Sequence, residues 1–178
     1  TYEFSLENCV INGKIYFYWN ADLDMTVDGC TFHNTLGDDG SYALFVQGDQ
    51  TGTVRFTNNV VDGYTRGVNF QRNQTEFLID GNIFRNNSEV DRAALQLTTA
   101  SKFTVTNNTF EESIASNAIW LWDGFNNPET LIADNDIRSA YSVSGYKTEY
   151  TNVTATGNRV TPTQCWEKDA SAPSDCLL

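Results

Sequence analysis

The charged side chains of this sequence include two sets whose types could do acid–base chemistry. Asp91, together with Asp38 or Asp39, would supply the two carboxylates that hydrolysis of a glycosidic bond requires, roughly 5 to 10 Å apart. Arg66 and Arg92 are the basic side chains that would serve a β-elimination, and each comes just before an apolar segment. These five residues are the candidate catalytic residues, although each is also an ordinary loop charge.

A second group of side chains is suited to binding. Aromatic rings and amides recur at corresponding positions of short apolar segments; a ring can cover the apolar face of a sugar, while amides bond its hydroxyls. The predicted ligand-binding residues are Tyr16, Tyr18, Phe45, Asn69, Gln71, Arg72, Gln96, Trp120, Trp122 and Asp123. The alternatives are that these side chains contact another protein, or that they reflect only the preference of strands for aromatic residues.

The chain has four cysteines, which fall into two pairs. Cys165 and Cys176 lie together near the C-terminus and are predicted to form a disulfide. Cys9 and Cys30 occupy the same position of neighbouring repeats, where the backbones would be about 4.8 Å apart. That separation permits a disulfide, but parallel side chains favour it less, so a bridge and a pair of buried thiols both remain open. There is no Cys-x-x-Cys spacing to suggest a zinc site.

A sequence motif that recurs along the chain would determine where all of these residues lie in the fold. Each of its seven copies has alternating apolar residues, a residue that tolerates a left-handed backbone, then Asn or Cys, then another apolar residue. The Asn or Cys positions are Cys9, Cys30, Asn59, Asn82, Asn108, Asn135 and Asn158. Their spacing averages about 25 residues, which is typical of a solenoid. Asn side chains stacked in this way would bond to one another from coil to coil.

A third apolar segment lies between successive copies, for example at residues 44–47, 68–71 and 119–122. The repeat itself predicts a strand, a tight turn and a second strand, so this segment brings the count to three strands per coil. The pattern therefore predicts a triangular β-solenoid.

Over roughly residues 3 to 162, the sequence resembles the right-handed parallel β-helix family, of which pectate lyases and polygalacturonases are well-known members. The resemblance implies an all-β fold, a right-handed single-stranded parallel β-helix of about seven three-strand coils with an Asn ladder. It also implies that a substrate would lie along the sheet of third strands. The leucine-rich repeat has a similar period, but its Leu-rich phrase is missing here.

The sequence departs from the enzymes of this family at the places where their chemistry occurs. The clustered Asp pairs and the Gly-His-Gly of polygalacturonases are missing. Where pectate lyases carry acidic calcium ligands, this sequence has Asn69, Gln96 and Trp120. We expect the β-helix to span residues 1–162, and residues 163–178 to form a C-terminal cap or tail that carries the Cys165–Cys176 disulfide.

Composition narrows the possible partners. With 11 basic and 23 acidic residues, the formal net charge is -12. Nucleic acid or an anionic membrane would need a basic stripe, so neither is an expected partner. No apolar stretch approaches the 18 residues of a membrane span, so membrane insertion is not expected either. Calcium is a possible cofactor, held by loop carboxylates to bridge a uronic acid substrate.

The sequence thus predicts a secreted or cell-surface module that binds a glycan or polysaccharide and performs no chemistry by itself. One alternative is a polysaccharide lyase or glycoside hydrolase whose site another domain completes; another is a structural or adhesin spacer. Because Thr1 already lies within the repeat, we interpret the chain as a mature fragment or part of a longer protein. The open first coil is a predicted surface for packing of another domain or chain.

Overall fold

The computed structural model describes residues 1–18, 20–35, 42–88, 92–115, 117–122, 125–139, 141–145 and 150–161. In chain order its strands are β1 (Tyr2–Glu7), β2 (Val10–Asn12), β3 (Ile15–Tyr18), β4 (Leu23–Asp28), β5 (Thr31–His33), β6 (Tyr42–Gly48), β7 (Gly52–Thr57), β8 (Val60–Asp62), β9 (Arg66–Arg72), β10 (Thr75–Asp80), β11 (Ile83–Arg85), β12 (Ala93–Thr99), β13 (Lys102–Thr106), β14 (Thr109–Phe110), β15 (Asn117–Leu121), β16 (Glu129–Ala133), β17 (Asp136–Ile137), β18 (Tyr141–Gly145), β19 (Val153–Thr156) and β20 (Arg159–Val160). None of the described residues form a helix that could cross a membrane.

The strands form three parallel sheets, and each coil contributes one strand to each sheet in turn. Sheet 1 contains β1, β4, β7, β10, β13, β16 and β19, and sheet 2 contains β2, β5, β8, β11, β14, β17 and β20. Sheet 3 contains β3, β6, β9, β12, β15 and β18. The predicted all-β parallel solenoid is confirmed. Its described part holds six complete coils and two strands of another, slightly fewer than the seven three-strand coils predicted.

In each coil, the residue between the strand of sheet 1 and the strand of sheet 2 has a left-handed backbone conformation. This explains the residue types at the turn position of the repeat, which we call the turn column. The residues of this column are Asn8, Gly29, Asn58, Gly81, Asn107, Asp134 and Gly157, and each has a φ between 54° and 67°. Only Gly, Asn and Asp adopt this backbone at low cost. The residue types at the turn therefore hold successive coils in the same register.

The Asn ladder follows this turn and is buried. The Asn59 side-chain amide donates to Asn82 Oδ1 at 3.1 Å, and the Asn82 amide donates to Asn108 Oδ1 at 2.9 Å. The Asn108 amide donates to Asn135 Oδ1 at 3.0 Å, and the Asn135 amide donates to Asn158 Oδ1 at 2.8 Å. The same oxygens also accept backbone N–H groups of the preceding coil, as Asn82 Oδ1 does from Asn59. The ladder therefore satisfies polar groups that the turn would otherwise bury unpaired.

The core fills the space enclosed by the three sheets. Aromatic rings stack along it from coil to coil, with centroids 5.2 Å apart for Phe77 and Phe103 and 4.9 Å apart for Phe84 and Phe110. Each such ring contributes about 1.5 to 3 kcal/mol through burial. The core is continuous along the solenoid axis, so each coil is stabilised mainly by its two neighbours.

Coil 1, which consists of β1, β2 and β3, is more exposed than the central coils. Its inward side chains Phe4, Leu6 and Ile11 are only partly buried. The large hydrophobic side chains that the structure exposes most, namely Tyr2, Val10, Tyr16 and Tyr18, also belong to this coil. Packing of another domain or chain on coil 1 stays a prediction.

Candidate functional site

The predicted ligand-binding residues belong mainly to sheet 3, and five of the ten are buried. Tyr16, Phe45, Asn69, Gln96 and Trp120 lie in register along the sheet, as the repeat predicted. Tyr16 is 65% exposed, but Trp120 is 1% exposed and the other three are also buried. The expectation of an open surface along this column is therefore wrong for its central part.

Side chains from the start of the strands explain part of this burial. The Tyr42 hydroxyl donates to Gln96 Oε1 at 3.1 Å, and the Tyr42 ring meets Phe45 edge-on at 5.3 Å. Tyr16 also stacks against Phe45, at 4.5 Å between ring centres with the rings nearly parallel. Sheet 3 therefore carries a packed polar and aromatic layer on its outer face.

The two candidate catalytic arginines belong to the same layer. The Arg66 guanidinium lies 5.6 Å from the centre of the Tyr42 ring. The Arg92 guanidinium lies 6.0 Å from the Trp120 ring and 5.2 Å from the Trp122 ring. These are cation–π distances, which give both arginines a packing role. Their proposed role in β-elimination stays a prediction.

Arg72 was predicted to contact ligand, but it is 0% exposed, so that prediction needs correction. Its Nη2 donates to the Ala21 carbonyl at 2.9 Å, its Nη1 to the Gln47 carbonyl at 3.4 Å, and its Nε to Thr75 Oγ1 at 3.0 Å. Burial lowers the pKa of Arg72, while the charge of Asp49 opposes this shift. Arg72 faces inward because backbone carbonyls at the corner between sheets 3 and 1 need its donors.

An open cleft lies at the carboxyl end of sheet 3, beside the buried column. Its volume is about 110 Å³, and we call it the amide cleft. The residues that line it are Tyr18, Asn20, Gln47, Gly48, Asp49, Gln71, Asn73 and Thr99. Tyr18, Gln47 and Gln71 are in register on adjacent strands, so the predicted binding residues Tyr18 and Gln71 do lie together.

A register shift completes the wall of the amide cleft. The pairing of β12 with β9 shifts between Leu97 and Thr99, which places Thr99 opposite Gln71. Thr98, which the repeat pattern would place there, is buried and bonds to Asn69 Oδ1 at 3.3 Å. A period of two residues cannot reveal such a shift, so sequence reasoning missed Thr99.

The polar groups of the amide cleft are suited to a ligand rich in hydroxyls. Asn73 donates to Asp49 Oδ1 at 3.0 Å, which orients this carboxylate. The amides of Gln47 and Gln71 offer both donors and acceptors, and the ring of Tyr18 is 58% exposed. Trp122, in the same predicted column, is partly exposed.

A larger hollow of about 350 Å³ opens on the outer face of sheet 1. It is lined by Glu3, Phe4, Ser5, Asp24, Thr26 and Arg55. Its walls mix charges of both signs, which is ordinary for a solvated sheet face. We therefore take the amide cleft as the candidate site.

Several predicted residues fall outside the part of the chain that the structure describes. They are the carboxylates Asp38, Asp39, Asp91 and Asp123 and the cysteines Cys165 and Cys176. Their catalytic, binding and disulfide roles stay predictions.

A charged cluster on sheet 2 was missed from the sequence. Arg85 Nη2 lies 3.0 Å from Asp62 Oδ2, His33 Nδ1 lies 3.6 Å from the same oxygen, and the Asn86 amide donates to Asp62 Oδ1 at 2.7 Å. Burial alone raises the pKa of Asp62, but the hydrogen bonds from Asn86 and Arg85 and the nearby positive charges outweigh it, so the pKa is lowered. The signal was available, because His33, Asp62 and Arg85 each lie three residues after a ladder position.

Cys9 and Cys30 are free thiols in this structure. The Cys9 backbone N–H donates to Cys30 Sγ at 3.4 Å, so the two residues are adjacent in the ladder. Burial raises the pKa of the Cys30 thiol. Of the two alternatives that the sequence left open, the structure has the pair of thiols.

The described residues assemble no group of three or more His, Cys, Asp or Glu side chains that could hold a metal ion. Carboxylates are the usual charged ligands of calcium, and no three of them lie together in this part of the chain. Calcium therefore stays a prediction. Cys9 and Cys30 are a two-donor set of a different chemical type, since their sulfur atoms are soft ligands.

Comparison with known proteins points to one family. The family described as "Periplasmic copper-binding protein (NosD)" matches residues 2–163. No curated protein and no solved structure matches the chain. A periplasmic family agrees, at the level of a location outside the cytoplasm, with the predicted secreted or cell-surface location. The match covers most of the chain, and the chain therefore belongs to the NosD family of right-handed parallel β-helix proteins.

Proposed function

We propose that this periplasmic β-helix module binds a glycan in the amide cleft. The observation that carries the proposal is the open row formed by Tyr18, Gln47 and Gln71 on three adjacent strands. A sugar ring would lie against Tyr18 while its hydroxyls bond to the two glutamine amides. Asp49, oriented by Asn73, would accept a further hydroxyl hydrogen.

The size of the amide cleft bounds the affinity. A volume of about 110 Å³ is well below the roughly 300 to 1,000 Å³ of pockets that enclose a small-molecule ligand. Only one edge of a sugar would enter it, while the rest of the glycan would lie on the surface. We expect a dissociation constant on the order of 1 mM for one such contact, equivalent to about -4 kcal/mol.

A pair of matched tyrosine variants tests the proposal. Tyr18 and Tyr2 are both 58% exposed, but only Tyr18 lines the amide cleft. We expect a glycan array to identify an oligosaccharide ligand, and calorimetric titration to show about tenfold weaker binding by Tyr18→Ala, or about 1.4 kcal/mol. Tyr2→Ala should bind like the wild type. Gln71→Ala should weaken binding in the same direction as Tyr18→Ala.

Two results would contradict glycan binding at this cleft. One is the failure of the wild-type chain to bind any glycan on the array. The other is equal loss of binding by Tyr2→Ala and Tyr18→Ala. Trp120→Ala is unsuitable as a test, because Trp120 is buried and its removal would disturb the packed layer of sheet 3.

We propose copper binding as a second function, because the family name states it for NosD proteins. The structural observation that supports it is the pair of adjacent thiols, Cys9 and Cys30. Thiolates are the protein ligands that select monovalent copper over harder ions. Titration of the reduced chain with copper under anaerobic conditions tests this function, and the absence of any bound copper would contradict it.

A further inference from the structure

Cys9 and Cys30 occupy the first two positions of the Asn ladder. Cys30 Sγ approaches the Leu6 carbonyl at 3.5 Å. At the next ladder position, the Asn59 amide donates to the equivalent carbonyl, that of Val27, at 2.9 Å. The Cys30 thiol therefore occupies a ladder position at which an Asn side chain would form a shorter hydrogen bond to the carbonyl.

The ladder by itself would favour Asn at both positions. An amide supplies two donors and one acceptor oxygen, whereas a thiol is a weak donor and a weak acceptor. The contact from the Cys9 N–H to Cys30 Sγ is 3.4 Å, compared with 2.9 Å from the Asn59 N–H to Asn82 Oδ1. Stability alone therefore does not explain cysteines at two consecutive ladder positions, whereas chemistry that needs sulfur would explain them.

We propose that Cys9 and Cys30 bind one Cu(I) ion through their two sulfur atoms. The proposal rests on the copper-binding function proposed above and names its site. Both thiols would release a proton to solvent, the copper would stay in the +1 state, and two Cu–S bonds would form. Monovalent copper is stable with two sulfur ligands, so the pair is a sufficient donor set.

The surroundings of the sulfurs argue against other metals. The oxygens near them are backbone carbonyls, of Glu7 at 3.2 Å from Cys9 Sγ and of Asp28 at 3.4 Å from Cys30 Sγ. Structural zinc requires four ligands and calcium six to eight, and the described residues offer no group of three or more candidate side chains. A two-sulfur set therefore favours Cu(I).

The position of the pair in the solenoid also allows an ion to reach it. Cys30 is buried, but Cys9 is only partly buried, because coil 1 has a described neighbour on one side only. Asn82 and Asn108, in the middle of the ladder, are buried and lie between coils on both sides. Cysteines placed in the central coils would lack this access.

The decisive variant carries Cys9→Asn and Cys30→Asn, which extends the ladder with its usual residue. We expect it to fold like the wild type, with an unchanged far-ultraviolet circular dichroism spectrum and an equal or higher Tm. A control variant with Cys165→Ser and Cys176→Ser removes the other two cysteines and keeps the proposed site.

The assay is competition for Cu(I) against the chromogenic chelator bicinchoninate, under anaerobic and reducing conditions. We expect the wild type and the control variant to withdraw one equivalent of Cu(I) from the chelator, and the Asn variant to bind at least a hundredfold more weakly. X-ray absorption of the wild-type complex should show two sulfur neighbours of the copper.

Two results would overturn the proposed site, and they differ in whether copper binding itself is also overturned. Equal Cu(I) binding by the wild type and the Asn variant would overturn the Cys9–Cys30 site and leave copper binding itself standing. No Cu(I) binding by the wild type would overturn both the site and the copper-binding function.

Discussion

At the scale of single residues, the Asn ladder restricts the residue type most strictly, because its buried side chains both donate and accept hydrogen bonds. Asn82 is buried, donates to Phe56 O and Asn108 Oδ1, and accepts from both the backbone and the side chain of Asn59. In Asn82→Ala these partners would remain buried without an alternative. Each unsatisfied group costs about 1 to 3 kcal/mol, so we expect a loss of about 3 kcal/mol or more in the free energy of unfolding.

Urea denaturation of Asn82→Ala checks this expectation, with Asn12→Ala as the matched control. Asn12 is exposed in β2, and its substitution should change stability by no more than about 0.5 kcal/mol. Similar losses in the two variants would mean that the ladder bonds contribute no more than surface contacts.

At the scale of strands, the alternating charges of sheet 2 predict a pH dependence. Asp62 at the end of β8 lies beside His33 of β5 and Arg85 of β11. Its pKa is lowered in the folded state, below the value of about 3.9 expected in the unfolded chain. The stability that it contributes is therefore present above about pH 4 and is lost as the pH falls through the folded value.

We expect the free energy of unfolding of the wild type to fall below about pH 4, and Asp62→Asn to show a flatter dependence there. Above that pH, Asp62→Asn should be less stable than the wild type, and the two should converge in acid. Urea denaturation from pH 3 to 7 measures this, with Asp24→Asn on the exposed face of sheet 1 as the control. A constant difference between Asp62→Asn and the wild type at every pH would contradict the role assigned to Asp62.

The strands also show which features were predictable from the sequence. The turn and ladder columns depend on local backbone geometry, so the residue types at Gly81 and Asn82 were enough to predict them. The buried Trp120 ring is contacted by Trp122, at 4.3 Å between ring centres, and by the Arg92 guanidinium at 6.0 Å. The inward direction of Arg72 depends on carbonyls of other coils, such as that of Ala21. Contacts of this kind have no period in the sequence, and for that reason half of the predicted binding surface proved to be buried.

At the scale of the whole molecule, a solenoid should be less stable at its first coil than at its middle. Phe4 and Phe77 belong to the same inward column of sheet 1, three coils apart. Phe77 is buried between Phe70 and Phe103, whereas Phe4 is partly buried with its nearest ring, Phe17, at 5.7 Å. The same substitution therefore removes different amounts of packing at the two positions.

We expect Phe77→Ala to reduce the free energy of unfolding by about 3 to 5 kcal/mol, and Phe4→Ala by less than half as much. Urea denaturation of the 178-residue chain measures both, and the wild type provides the reference. Hydrogen exchange should agree, with the amides of β10 more protected than those of β1. Equal losses in the two variants would contradict the weaker packing assigned to coil 1. Weaker protection of β1 than of β10 in the unmodified chain would support a stability that adds coil by coil, which would leave coil 1 free to open around Cys9 without unfolding the rest of the solenoid.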